Sequence, residues 1–219
     1  MSLTTLKNKF NSLLSTLNGT TTVNFSTTVE TAYEALVLAN VMNEYKRIFG
    51  PLRNLTHPTH SSFLNQKPGR FRTDRAFKLE FANNHSFYVA ADIEVFGLEA
   101  LDQGRPIGIL FEADVVVIPE VHANEVVTTF RGYPAPQHIH SAYECKFGSY
   151  NKGQLREFLG LKRHLCFLGN QGVSATRLFT SIIANSFPPI YLKMARPRRH
   201  KFFDRTTATM YDLEQLIIN

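Results

Sequence analysis

Two short stretches, residues 111–118 and 142–147, limit what this chain can fold into more than any other feature. Both are rich in β-branched and aromatic residues and both are closed by turn formers, Pro119 after the first and Gly148 after the second. Both therefore read as β-strands. Side chains alternate along a strand, which sends Glu144 and Lys146 to one face and Tyr143, Cys145 and Phe147 to the other. Asp114 interrupts a run that is otherwise almost wholly aliphatic. A carboxylate in that place is costly unless it is paired, hydrogen-bonded or bound to a metal. If the two strands are neighbours, Asp114, Glu144 and Lys146 converge as two acids and one amine.

Two hard oxygen ligands beside a lysine suit Mg²⁺-assisted hydrolysis of a phosphodiester. Carboxylates hold an ion that keeps several of its waters, and the ion offsets phosphate charge and activates a water. The lysine can position or deprotonate that water. Asp114, a spacer and then Glu144-Cys145-Lys146 resembles the PD-(D/E)XK superfamily of restriction-endonuclease-like nucleases. The resemblance runs from the helix around Glu30 to the helix around Leu161. It implies an α/β chain with a restriction-endonuclease-like αβββαβ core, a mixed central sheet flanked by helices, here with N- and C-terminal helical extensions. It also implies that Asp114, Glu144 and the carbonyl of Cys145 bind Mg²⁺, with Mn²⁺ able to substitute, and that Lys146 positions the attacking water. Nucleases of this kind often carry an acid on the first core helix. The string Tyr33-Glu34-Ala35-Leu36 looks like that position, so Glu34 is the fourth candidate and Glu30 the lesser one. Lys152 and Gln154, at the start of the helix after the motif, are implied at the rim of the site for phosphate contact and water orientation. Each has a plainer role open to it: Glu34 as a border residue, Lys152 and Gln154 as an ordinary helix start, the acid–lysine group as an ion-pair network without catalysis.

The net charge of +6 fits a polyanionic partner, and with the motif it points to DNA. Two basic segments could contact phosphates. One is the loop carrying Arg70 and Arg72, with Lys67 and Arg75 nearby and Phe71 and Phe77 interleaved. The other is the cluster at 196–201, which contains Arg198 and Arg199. A solvated surface is the alternative for both. With 43% apolar residues and 18 phenylalanines among 219, the chain can fill a core and is too hydrophobic for a disordered protein. Its two cysteines form no CxxC pair, which favours a reducing, cytoplasmic setting. The first residues lack the continuous apolar region of a signal peptide, and no run of about 18 apolar residues exists to span a bilayer. A homodimer is compatible with the resemblance, because cutting a duplex takes two strand breaks. A non-catalytic DNA-binding or assembly subunit on the same fold is the alternative function, and a small-molecule or protein-binding domain a third.

A single domain over residues 1–219 is expected: an N-terminal helical extension at 1–20, the core at 25–185 and a basic C-terminal extension at 186–219. Apolar spacing predicts a helix over 3–17 and a second from Thr27, where Thr27 and Glu30 fit a capping box. Residues 50–75 read as a loop, 77–81 and 87–96 as strands joined by a turn at Asn83-Asn84-His85. Asp92 and Glu94 share a face of the second strand and read as edge charges. Between the motif strands, 126–130 reads as an extra strand, and His138 and His140 as polar residues leading into the next. Helices at 154–161 and 173–185, strands at 163–168 and 190–194, and a last helix at 210–218 complete the expectation.

Overall fold

The computed structural model describes residues 2–18, 28–59, 69–97, 110–145, 191–196 and 215–217, the last two stretches as backbone. Two helices come first. α1 (Leu3–Asn18) buries Leu6, Phe10, Leu14 and Leu17, one stripe of an amphipathic helix. α2 (Val29–Phe49) begins at Thr28, whose hydroxyl accepts from the Thr31 N–H at 3.3 Å. The cap is therefore one residue later than the capping box predicts. Glu30 stands exposed in the first turn, where its charge suits the helix dipole.

Among the described residues seven strands follow: β1 (Leu52–Thr56), β2 (Phe77–Phe81), β3 (Ser86–Phe96), β4 (Leu110–Pro119), β5 (Ser141–Cys145), β6 (Tyr191–Arg196) and β7 (Gln215–Ile217). They lie in one sheet in sequence order. Pairing is antiparallel from β1 to β5 and parallel from β5 through β7. The chain is thus mixed α/β, and the two motif strands are direct neighbours, with Val115 opposite Tyr143 and Val117 opposite Ser141. α1 and α2 cover one face, where Phe77, Leu79, Val89, Val115 and Val117 pack against α2 residues such as Leu36 and Met42. α3 (Glu120–Thr128) covers the other, where Ala123 and Val126 meet Ala90, Val116 and Ile118. Among the described residues, no helix is long and apolar enough to cross a membrane.

The structure differs from the sequence reading at several points. β1 lies in the expected loop; only Leu55 of its five residues is buried, so an edge strand of polar composition leaves little periodic signal. α3 replaces the extra strand expected at 126–130. The β-branched Val126-Val127-Thr128 favours a strand locally, but Ala123 and Val126 at i, i+3 bury one helical face, and packing overrides propensity. Asp92 and Glu94 are not free edge charges: β2 pairs β3 only from Ser86 to Val89, and beyond it Gly69 bonds to the backbone of both. β6 and β7 join the sheet from the segment expected as a C-terminal extension, and 215–217 is strand where a helix was expected. The expected elements at 154–161, 163–168 and 173–185 lie outside the described residues.

The turn after α3 depends on Gly132, which has φ 86°. Its N–H donates to the Val126 carbonyl at 2.7 Å and its carbonyl accepts from Phe71 N–H at 2.6 Å. A Cβ here would meet Arg70 Cβ at 2.8 Å and the Phe71 carbonyl oxygen at 2.9 Å. Gly132→Ala should therefore destabilise the fold by about 2–4 kcal/mol, the sum of a left-handed backbone penalty and overpacking. A urea melt reads this directly, and an unchanged midpoint would contradict the close approach.

Candidate metal centre

β3 and β4 set acids against acids. Glu94 pairs with Glu112. Asp92 and Asp114 fall opposite one another between the pairs Ala91–Val115 and Ile93–Ala113. Oxygens of Asp92, Glu112 and Asp114 lie within 4.8 Å of one another. Like charges directly across a strand pair repel, and burial sharpens the repulsion.

The backbone is distorted where the acids meet. Asp92 has φ 53°, a left-handed conformation that few residues other than glycine, asparagine and aspartate adopt. Side-chain alternation changes phase there. Phe87, Val89 and Ala91 face α1 and α2, whereas Ile93 and Val95 join the α3 side. β4 changes phase with it, Ala113 facing α3 and Val115 facing α2, so the register is the same on either side. Beyond Ala90 the outer edge of β3 is taken by Gly69, whose N–H donates to the Asp92 carbonyl at 3.1 Å and whose carbonyl accepts from Glu94 N–H at 2.9 Å. Asp92 is thus fixed from both edges, as strained backbone at a site must be.

Asp92 is 8% exposed, and its carboxyl is pushed up to about 7, by lost solvation first and then by the charges of Glu34 and Glu112. Asp114 is half-buried, and one of its oxygens accepts from the Cys145 amide at 2.5 Å, tying β4 to β5 at the end of their pairing. Glu34 is half-buried on α2, and its charge is felt at both Asp92 and Cys145; Glu30, one turn earlier, is exposed. Burial raises the Cys145 thiol well above its usual range, helped by Asp114, Glu34, Glu144 and Asp92 in that order. The thiol therefore stays protonated.

Of the sequence-predicted residues, the structure thus brings Asp114 into the carboxylate group, bonded to the backbone of Cys145, while Glu34 acts on it through its charge. Glu144 acts on Cys145 through its charge but is not one of the three carboxylates within 4.8 Å. Asp92 and Glu112 are added by the fold. An aspartate in the middle of a long apolar strand, and an acid two residues before Asp114, were their signals in the sequence. Lys146, Lys152, Gln154, Arg198 and Arg199 lie outside the described residues. Arg70 donates from Nε to the Tyr133 hydroxyl at 3.1 Å, with its guanidinium 5.2 Å from that ring's centre. Arg72 forks onto Asp74 at 2.9 and 2.8 Å.

His138 and His140 lead into β5 as expected, but in different surroundings. His138 is fully buried beside Phe130, with Nδ1 accepting from Ala135 N–H at 3.1 Å and Nε2 3.4 Å from Glu125. His140 instead turns toward α2 and meets Tyr45. The 3-10 turn at Pro136–His138 ends between them, so the two rings face different neighbours.

The donor set at the acid cluster is all oxygen and strongly anionic, which suits Mg²⁺, Mn²⁺ or Ca²⁺ rather than a thiophilic metal. Octahedral Mg²⁺ at about 2.1 Å places ligand oxygens about 3–4 Å apart. Carboxylates already within 4.8 Å need only small rotations to reach that spacing. A dication would also offset the lost solvation and the repulsion that together raise the Asp92 carboxyl. The residues fit such an ion. Comparison with protein-family models, with curated proteins and with solved structures gives no match for this chain.

Proposed function

We propose that this chain is a metal-dependent endonuclease that hydrolyses phosphodiester bonds in DNA. The observation that supports it most is the convergence of Asp92, Glu112 and Asp114, with the charge of Glu34 felt there from α2, on the strand junction that carries Glu144 and Cys145. Asp92, Glu112 and Asp114 would hold Mg²⁺ or Mn²⁺, with Glu34, Glu144 and the Cys145 carbonyl as further oxygen donors. When bound, the ion supplies charge opposite the phosphate oxygens and lowers the pKa of a water. Asp114 is kept in orientation by the Cys145 amide, so its carboxylate need not be ordered when substrate arrives. Lys146 follows directly on that amide and is assigned to orient the attacking water and offset charge on the phosphate. Arg70 and Arg72, with Lys152, Gln154, Arg198 and Arg199, are assigned to the backbone of the DNA, within a chain of net charge +6.

A second reading, a non-catalytic DNA-binding or assembly subunit, is favoured by one observation: Glu144 of the motif is not among the three clustered carboxylates. Supercoiled plasmid and single-stranded DNA, incubated with the chain in Mg²⁺, Mn²⁺ or EDTA, separate the two. Lys146→Ala, purified in parallel, should lose cleavage and keep most of its DNA affinity. Cutting that persists in the Lys146→Ala protein would reject the assignment of that residue. Retarded but intact DNA in every metal would establish the second reading.

A further inference from the structure

At the opposite end of α2 from Glu34, the last turn of the helix and the start of β5 enclose a cavity of about 290 Å³. Glu44 and Glu34 are ten residues apart on the helix, about 15 Å along its axis, so this cavity is separate from the acid cluster. Its walls are Tyr45, Phe49, His140 and Tyr143, with Glu44 and the exposed Ile48 at the rim. The rings form a connected set. Tyr45 stacks on Phe49 with centres 5.5 Å apart, and His140 stands edge-on to Tyr45 at 5.4 Å.

The polar groups described in these walls suit a positive guest. The Tyr143 hydroxyl donates to Glu44 at 3.2 Å and fixes the carboxylate beside the cavity. Burial and the nearby Tyr45 and Glu44 raise the Tyr143 phenol well above its ordinary range, so it stays a neutral donor. Tyr45 is hydrogen-bonded to His140 and, at 2.7 Å, to Ser141. Burial and His85 lower the pKa of His140, which keeps the imidazole uncharged near neutral pH. Among the described residues, no lysine or arginine lines the cavity. Lys46, in the same helical turn, reaches instead to the Thr16 carbonyl of α1 at 2.9 Å. The C-terminal end of α2 adds the partial negative charge of its last carbonyls. Aromatic walls, one fixed carboxylate and a helix C-terminus are the elements that hold an organic cation out of water.

We infer that this cavity binds a small organic cation, an alkylammonium or guanidinium group on a short apolar stem. The charged head lies against Glu44 and the rings, and the stem passes Ile48. Such a group can come from a free amine or from an arginine side chain of a peptide. The inference does not rest on the nuclease reading, and its test uses no divalent metal and no DNA.

Calorimetric titration of the full chain with butylammonium, agmatine and an end-blocked arginine tripeptide tests it, with butylurea as the neutral counterpart. At least one cation should bind at or below about 1 mM, and butylurea at least about tenfold more weakly. A preference for agmatine over the tripeptide identifies a free amine as the source, and the reverse preference a peptide. Glu44→Gln keeps an acceptor for Tyr143, so the fold should persist while cation affinity falls about tenfold. Ile48→Phe, at a position 57% exposed, should narrow the mouth and abolish binding without touching the core. Equal binding of butylurea, an unchanged affinity in Glu44→Gln, or no heat from any cation up to about 10 mM would each overturn the inference.

Discussion

Asp114→Asn should lower metal-dependent DNA cleavage by about a thousandfold or more while leaving the fold intact. The substitution removes one negative charge from the carboxylate group within 4.8 Å and leaves a neutral oxygen, a much poorer partner for a hard dication. Metal-assisted charge stabilisation is worth several kcal/mol in such reactions, and about 1.4 kcal/mol is a factor of ten in rate. The fold survives because the amide oxygen can still accept from Cys145 N–H, the bond that joins β4 to β5 beyond their paired residues. Single-turnover cleavage, a gel shift and thermal melting with and without Mg²⁺ measure the three parts separately. Loss of cutting together with loss of the Mg²⁺-dependent rise in Tm is the expected pattern. Cleavage at the wild-type rate would place the metal elsewhere.

Asp92→Asn should make the protein more stable at pH 8 by on the order of 4 kcal/mol, and the gain should vanish in acid. The Asp92 carboxyl titrates near 7 in the folded chain against an ordinary value of 3.8. Below about pH 4 it is protonated in both states and costs nothing. From there to about pH 7 the unfolded chain has released its proton and the folded chain has not, so stability falls by about 1.4 kcal/mol per pH unit. Above pH 7 the full penalty remains. Asparagine carries no charge at any of these pH values and tolerates the left-handed backbone, so the variant lacks this slope. His138 and His140 have lowered pKa values, which produce the opposite slope, and both are present in either protein. The difference between wild type and variant therefore isolates Asp92. Urea melts at pH 5, 6, 7 and 8 give that difference. Parallel curves would show that Asp92 is solvated or already compensated by a cation. Mg²⁺ should stabilise the wild type at pH 8 far more than at pH 5, and the variant much less at either.

These two aspartates also mark how far the sequence could be read. Asp114 is conspicuous because a charge in an otherwise aliphatic strand needs a physical reason, and that reasoning requires no knowledge of its neighbours. Asp92 sits in a strand just as apolar, yet with Glu94 it passes for an edge residue, because period-two alternation is also what an exposed edge looks like. Only its register against Asp114 in β4, with Gly69 closing the outer edge of β3, sets it in the carboxylate group with a left-handed backbone. Glu34 could be proposed from a resemblance and from its place beside the apolar face of α2. That its charge reaches the cluster depends on how α2 crosses β5, with Glu34 acting on Cys145 at one end while Tyr45 bonds to His140 and Ser141 at the other.

Local patterning carried the strands at 77–81, 87–96 and 111–118 and both N-terminal helices, because their burial follows a single period over many residues. It failed where the period is short or contested. β1 has one buried side chain, and α3 has β-branched residues whose local preference is outweighed by two contacts on the far face of the sheet. The sequence by itself determined that two apolar strands carry Asp114 and Glu144, and that basic charge exceeds acidic by six. Tertiary structure alone decided which carboxylates meet, because repulsion among Asp92, Glu112 and Asp114 is tolerated only when the packing of a whole sheet enforces it.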